Sequence, residues 1–184
     1  MVAVALCVED GRLRAGVSRV ARRRGEPLVD ALARAIDVAA LGHVEQLETR
    51  VLRDGTLATA YLGLAREPLG ADAGSDDERE LVDAARLRLR AKLSYTNVGF
   101  ALAPDTFTIS ELRDVYVAAL GYDVSSTNLQ RVLLRRGVLQ RIDGQRAPGR
   151  AGGRPAALFQ FASRRLAITD EFAALRPPGS RASG

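Results

Sequence analysis

Phe107 to Gly121 reads FTISELRDVYVAALG, and Ser125 to Gly137 reads SSTNLQRVLLRRG. Thr108, with Glu111 three positions on, is a capping box that starts a helix. Ile109, Leu112, Val115, Tyr116 and Ala119 follow at helical spacing and turn inward, and Gly121 stops the run. After Tyr122-Asp123-Val124, either Ser125 or Ser126 caps a second helix. Its apolar residues Leu129, Val132 and Leu133 face inward. Asn128, Gln130, Arg131 and Arg135 are left outside. A helix, a short turn and a second helix with a polar, basic N-terminal half is the helix-turn-helix pattern. Hydroxyl, amide and guanidinium groups are those that reach base edges and phosphates.

The residues that follow extend this reading. Val138 to Ile142 reads as a strand, and Ala156 to Phe161, with its FQF alternation, as its partner. Between them lies DGQRAPGRAGGRP, a Gly- and Pro-rich loop that carries Arg146, Arg150 and Arg154. A basic hairpin tip of this kind is a wing, suited to the phosphate backbone or the minor groove. From Ser125 to Arg165 nine arginines stand against one acid, Asp143, a net +8. The whole chain carries only +5, so the rest of it is net acidic. Charge concentrated in this way is the footprint of a polyanion.

Working towards the N-terminus, Glu80 to Leu93 reads as a helix with Leu81, Ala84, Ala85, Leu89 and Leu93 on one stripe. Residues 67–79 mix Pro, Gly, Ala and acids, which predicts a linker. Residues 1–66 read as a separate small unit. Val2 to Val8 is a buried strand, Asp10-Gly11 a hairpin turn, and Leu13 to Val20 the return. Pro27 opens a helix along Leu28, Ala31, Leu32, Ala35, Ile36 and Ala39. Val44 to Leu52 and Thr56 to Leu64 flank a second turn at Asp54-Gly55. His43, beside Gly42, reads as a helix end or turn residue, and Cys7 as a small buried hydrophobe. Residues 176–184, RPPGSRASG, read as a disordered tail. The predicted fold class is α+β: a small α/β N-terminal domain over 1–66, then a winged helix-turn-helix domain over 80–165.

Composition excludes several classes. One cysteine and one histidine leave no disulfide framework and no cysteine- or histidine-based metal cluster. No run of about 18 apolar residues is present to span a bilayer. The start, MVAVALCVED, lacks the basic segment of a secretory signal. These features predict a cytoplasmic protein with no structural metal and no membrane association.

Tyr95-Thr96-Asn97-Val98, then FTISELRDVY, Asp123, Asn128-Leu129-Gln130-Arg131-Val132-Leu133-Leu134 and Gly153-Arg154-Pro155-Ala156-Ala157-Leu158-Phe159-Gln160-Phe161, in that order and spacing, resemble the C-terminal winged helix of the NrtR regulators. The strand and helix order of residues 1–66 resembles a contracted Nudix domain. Against the Nudix box, Glu26 matches the first glutamate, Arg34 the arginine and Ile36 the aliphatic position. Ala35, Val38 and Ala39 stand where three metal-binding glutamates belong, and methyl groups supply no oxygen ligands for Mg²⁺. On that ground no catalytic residues are expected. The resemblance implies a homodimeric transcriptional regulator, a repressor of NAD or related nucleotide or sugar metabolism. It implies binding to a palindromic operator in double-stranded DNA. A Nudix-like domain would serve dimerisation and the sensing of a nucleotide effector such as ADP-ribose, without any other cofactor. DNA contacts are expected from Ser126, Thr127, Asn128, Gln130, Arg131, Arg135, Arg146, Arg150 and Arg154. The alternatives are a Nudix-type pyrophosphatase and a winged helix that contacts another protein.

Overall fold

Residues 1–147 and 155–170 are described by the structure, a computed structural model of the chain. Val2–Glu9 (β1) turns at Asp10-Gly11 into Arg12–Arg19 (β2), and both turn residues have positive φ, 49° and 69°. That pair of left-handed residues gives the tight hairpin its twist. Helix α1, Leu28–Ala35, follows Pro27. Leu41–Val51 (β3) and Leu57–Ala65 (β4) then complete a four-stranded sheet in the order β2-β1-β4-β3. β1 runs antiparallel to β2 and parallel to β4, while β3 and β4 are antiparallel.

β1 is apolar and buried from Val2 to Cys7 because both its faces are covered there. Val2, Val4 and Leu6 join the main core, and Ala3 and Ala5 meet Leu32 and Ile36 beside α1. The helix at α1 is shorter than its spacing predicts. It ends at Ala35, and Ile36 already has extended dihedrals. Asp37 then accepts a hydrogen bond from the Ala39 amide at 3.0 Å, turning Val38–Ala40 into a single 3₁₀ turn. His43 is also placed differently. It lies in β3 opposite Leu64, not at a helix end. The cause is Gly42, where a Cβ would stand 2.9 Å from the Ala101 Cα. The glycine is needed for close packing and not to end a helix.

Asp76–Tyr95 forms α2, which starts earlier than the sequence suggests. Ser75 and Glu78 make a full capping box, and Asp76, Asp77 and Glu78 fill the first turn. Acids there favour the positive end of the helix, so residues that resemble a linker in composition are its N-terminus. Within the same stretch Ala71 exchanges two backbone hydrogen bonds with Val17, at 2.6 and 3.0 Å.

Ile109–Leu120 (α3), Ser126–Arg135 (α4) and the hairpin Leu139–Arg146 (β5) with Ala156–Phe161 (β6) build the winged helix around the end of α2. Phe107 adds a short third strand, bonding Phe159 in both directions at 2.8 and 2.9 Å. The rings of Phe100 and Phe107 meet Phe161 edge-on, with centroids 6.5 and 5.4 Å away. Asn97 is buried, and its amide closes the domain. Its Nδ2 donates to the carbonyls of Ser163 and Arg165, and its Oδ1 accepts from the Ala167 amide. The 176–184 tail lies outside the described residues.

One apolar cluster runs from Val4 and Leu62 in the sheet, through Leu81, Ala85 and Leu89 of α2, to Leu112 and Phe159 of the winged helix. Leu89→Ala should therefore cost about 2–5 kcal/mol of stability. Thermal unfolding followed by far-ultraviolet circular dichroism and by tyrosine absorbance should remain one coincident transition. Separate transitions for the two units would contradict a shared core.

Candidate nucleic-acid interface

Thr108 and Glu111 cap α3 reciprocally, and Gly121 closes it in the left-handed conformation at φ 77°. Ser125, not Ser126, caps α4, its Oγ accepting from the Asn128 amide at 3.4 Å. Leu129 and Leu133 anchor α4 in the core, with Val132 half-buried beside them. That leaves Thr127, Asn128, Arg131, Leu134 and Arg135 exposed on one face. Ser126 and Gln130 are half-buried at its margin. On this face the Arg131 Nη2 donates to the Asn128 Oδ1 at 2.8 Å. The two side chains are thereby aligned before any partner arrives.

The nine arginines of the basic segment divide by what they touch. Arg136 donates to the Asp170 carboxylate at 2.6 Å and to the Ser94 carbonyl at 2.8 Å, which ties the end of α4 to the end of α2. Arg164 is paired with Asp105 at 2.5 Å. Arg146 is paired with Glu111, so this wing residue also secures the start of α3. Arg131, Arg135, Arg141 and Arg165 are exposed, and none is paired with an acid among the described residues. Arg150 and Arg154 lie outside the described residues. Arg141 and Arg165 are open cations that the motifs do not single out. Arg141 shares the strand parity of the buried Leu139 yet is exposed, so alternation along β5 gives no signal for it.

The N-terminal residues aligned with the Nudix box meet as well. The Nε and Nη2 of Arg34 donate to the two carboxylate oxygens of Glu26, at 2.8 Å each, and the Arg34 Nη2 also donates to the Ala21 carbonyl. The Arg23 amide donates to the same carboxylate at 2.8 Å. The pair fastens the loop that leads into α1. The Arg34 guanidinium, and then the Arg23 amide, pull the Glu26 carboxyl down to about 2. Ala35 ends α1, and Val38 and Ala39 stand in the 3₁₀ turn. Among the described residues no three His, Cys, Asp or Glu side chains gather as a metal site. The one histidine, His43, instead pairs with Glu45 at 3.1 Å, and Lys92 of α2 reaches the same carboxylate at 2.7 Å.

Residues 99–161 match the family model described as the NrtR DNA-binding winged helix domain. This segment is thus similar to the NrtR winged helix. The ADPR responsive transcriptional repressor NtrR of Acinetobacter baylyi is 34% identical over 86 residues, which is 47% of this chain and 33% of that protein. The matched part thus spans about a third of that relative's length. The crystal structure of Shewanella oneidensis NrtR complexed with a 27mer DNA superposes with a TM-score of 0.67 at 22% identity, covering 86% of this chain and 91% of that one. A second crystal structure of Shewanella oneidensis NrtR gives 0.65 at 23% identity, with the same coverage. The likeness in fold therefore extends beyond the winged helix to the N-terminal sheet.

The Glu26 pair has a pH consequence. Its folded carboxyl titrates near 2 and an unpaired glutamate near 4.5. The stabilisation it provides is present above the higher value and is lost as pH falls through the lower one. Glu26→Gln should therefore flatten the fall in stability between about pH 5 and pH 2. Denaturant midpoints measured across that range for both proteins check this, and parallel acid limbs would contradict it.

Proposed function

We propose that the chain is a sequence-specific DNA-binding transcriptional regulator, a repressor that acts as a homodimer on a palindromic operator in the cytoplasm. The observation that carries this reading is the exposed face of α4. Thr127, Asn128, Arg131 and Arg135 project from a helix whose opposite face is locked into the core, and no acid interrupts them. A convex helix with amide and guanidinium groups fits the major groove, whose base edges offer donors and acceptors in distinct patterns. Ser126 and Gln130 flank that face. Arg146, Arg150 and Arg154 on the wing, joined by Arg141, would follow the phosphates. Two-fold symmetry of a dimer would demand two-fold symmetry of the site, with half-sites about one helical turn apart or a multiple of it. The relative from Acinetobacter baylyi is named for its response to ADPR. That name supports a nucleotide effector here, ADP-ribose or a related molecule, and target genes in NAD or related nucleotide or sugar metabolism. Dimerisation and effector sensing are assigned to residues 1–66. No helix among the described residues is long and apolar enough to cross a membrane.

Repeated selection from a random duplex pool tests the reading directly. Enrichment of an inverted repeat is expected, and recovery of no shared sequence would sink it. On the selected duplex, Arg131→Ala should cost about 1–3 kcal/mol of binding and relax the preference at one position of each half-site. Arg135→Ala should weaken selected and scrambled duplexes alike and lower the salt slope by about one unit. The opposite assignment of the two variants would mean that α4 is docked in another orientation.

The same chain should not hydrolyse ADP-ribose, because Ala35, Val38 and Ala39 offer no oxygen ligand where Nudix glutamates hold Mg²⁺. The check is AMP release with Mg²⁺ against a heat-inactivated control. Release above that control would make the N-terminal domain an enzyme.

A further inference from the structure

The turn between α3 and α4 has little apolar packing to hold it. Gly121 is left-handed, Tyr122 and Asp123 are both exposed, and only Val124 is half-buried. Yet the N-cap of α4 comes directly after Val124, and any shift of this turn moves the first turn of the helix that carries Asn128 and Arg131. One side chain spans the gap. Arg113, on the second turn of α3, donates from Nε to the Val124 carbonyl at 2.9 Å and from Nη2 to the Asp123 carboxylate. Its Nη1 also donates to Asp114 at 3.1 Å, so all three nitrogens of the fork are engaged. The cap's own side-chain bond, from the Asn128 amide to the Ser125 Oγ, is long at 3.4 Å.

We propose that Arg113 is a positioning residue for DNA reading: by gripping the Val124 carbonyl and the Asp123 carboxylate it sets where α4 starts and how its first turn meets base edges. The proposal rests on the DNA-binding reading above and deepens it. Direct readout needs side chains held within about half an ångström of their bonding geometry, and groups behind the contact surface supply that precision. Arginine suits the task because its planar fork fixes the angle between Nε and the terminal nitrogens, so one side chain can hold a carbonyl and a carboxylate together. Lysine keeps the charge and the helix propensity but has a single nitrogen on a flexible stem. The signal in the sequence is modest, an arginine on α3 ten residues before the acid that closes the turn.

The test uses the full chain with Arg113→Lys and Asp123→Asn, and the duplex selected by the wild-type protein beside a scrambled one. Failure of the DNA reading would already have appeared in that selection. For Arg113→Lys the ratio of selected to scrambled affinity should fall about tenfold, the scale of one lost charge-assisted hydrogen bond. Affinity for the scrambled duplex and its salt slope should hold, since the charge is retained. Asp123→Asn keeps the Val124 bond but removes the charge of the second anchor, so its ratio should fall by about threefold, less than that of Arg113→Lys. In the protein without DNA, hydrogen exchange of the Asn128 and Leu129 amides should quicken in Arg113→Lys while that of Val117 and Leu120 does not. A wild-type affinity ratio in Arg113→Lys overturns the proposal. So does an equal fall on both duplexes, or exchange that rises throughout α3 and α4 together.

Discussion

The buried stripe of α2 is the constraint on which the rest depends. Leu81, Ala85 and Leu89 are fully removed from water, yet they belong to no single unit. Their neighbours in the core include Val4 and Leu62 of the sheet as well as Leu112 of α3 and Phe159 of the wing. A small sheet with one short helix and a compact winged helix each have little core of their own, and small cores are marginal. Sharing one 20-residue helix lets each complete the other. Gly42 at the edge of β3 brings the sheet against Ala101 directly, so the two are joined by packing as well as by the chain.

That arrangement shapes what the N-terminal unit can do. The sheet, α2 and α3 share one packed apolar cluster. The polar contacts follow the same route. Glu45 of β3 holds Lys92 and Arg88 of α2, and Arg66, just after β4, shares the Asp105 carboxylate with Arg164. Where the sequence matches the Nudix box, a structural ion pair stands. Glu26 and Arg34 fasten the entry to α1, while the positions that would carry metal ligands hold methyl groups.

Charge acquires a different meaning once folded. The +8 of the basic segment is partly answered by acids that lie elsewhere in the chain, Glu111 for Arg146, Asp105 for Arg164 and Asp170 for Arg136. These pairs close the winged helix on itself. Among the described residues, what remains open is a smaller set, Arg131 and Arg135 on α4, Arg141 on β5 and Arg165 after β6. A polyanion would meet this set together with the wing loop, and a count of arginines along the chain overstates it.

The winged helix is legible in the amino-acid sequence because its signals are local. The capping box at Thr108 and Glu111, the left-handed stop at Gly121, the cap at Ser125 and the alternation of FQF each act within a few residues, and the helical periods of α3 and α4 follow from the α-helical repeat. The β1–β2 hairpin is legible for the same reason, through Asp10-Gly11. Other features depend on residues distant in sequence. The acids of 76–78 resemble a linker until Ser75 and Glu78 are seen to cap a helix, whose value comes from the shared core it fills. His43 and Gly42 resemble a helix end, and only the approach of Ala101 makes them strand. Which arginines are free, and that Arg113 grips the turn before α4, follow from contacts between separate elements. Periodicity and capping record what a segment prefers by itself, and tertiary packing decides which of its side chains remain available to a partner.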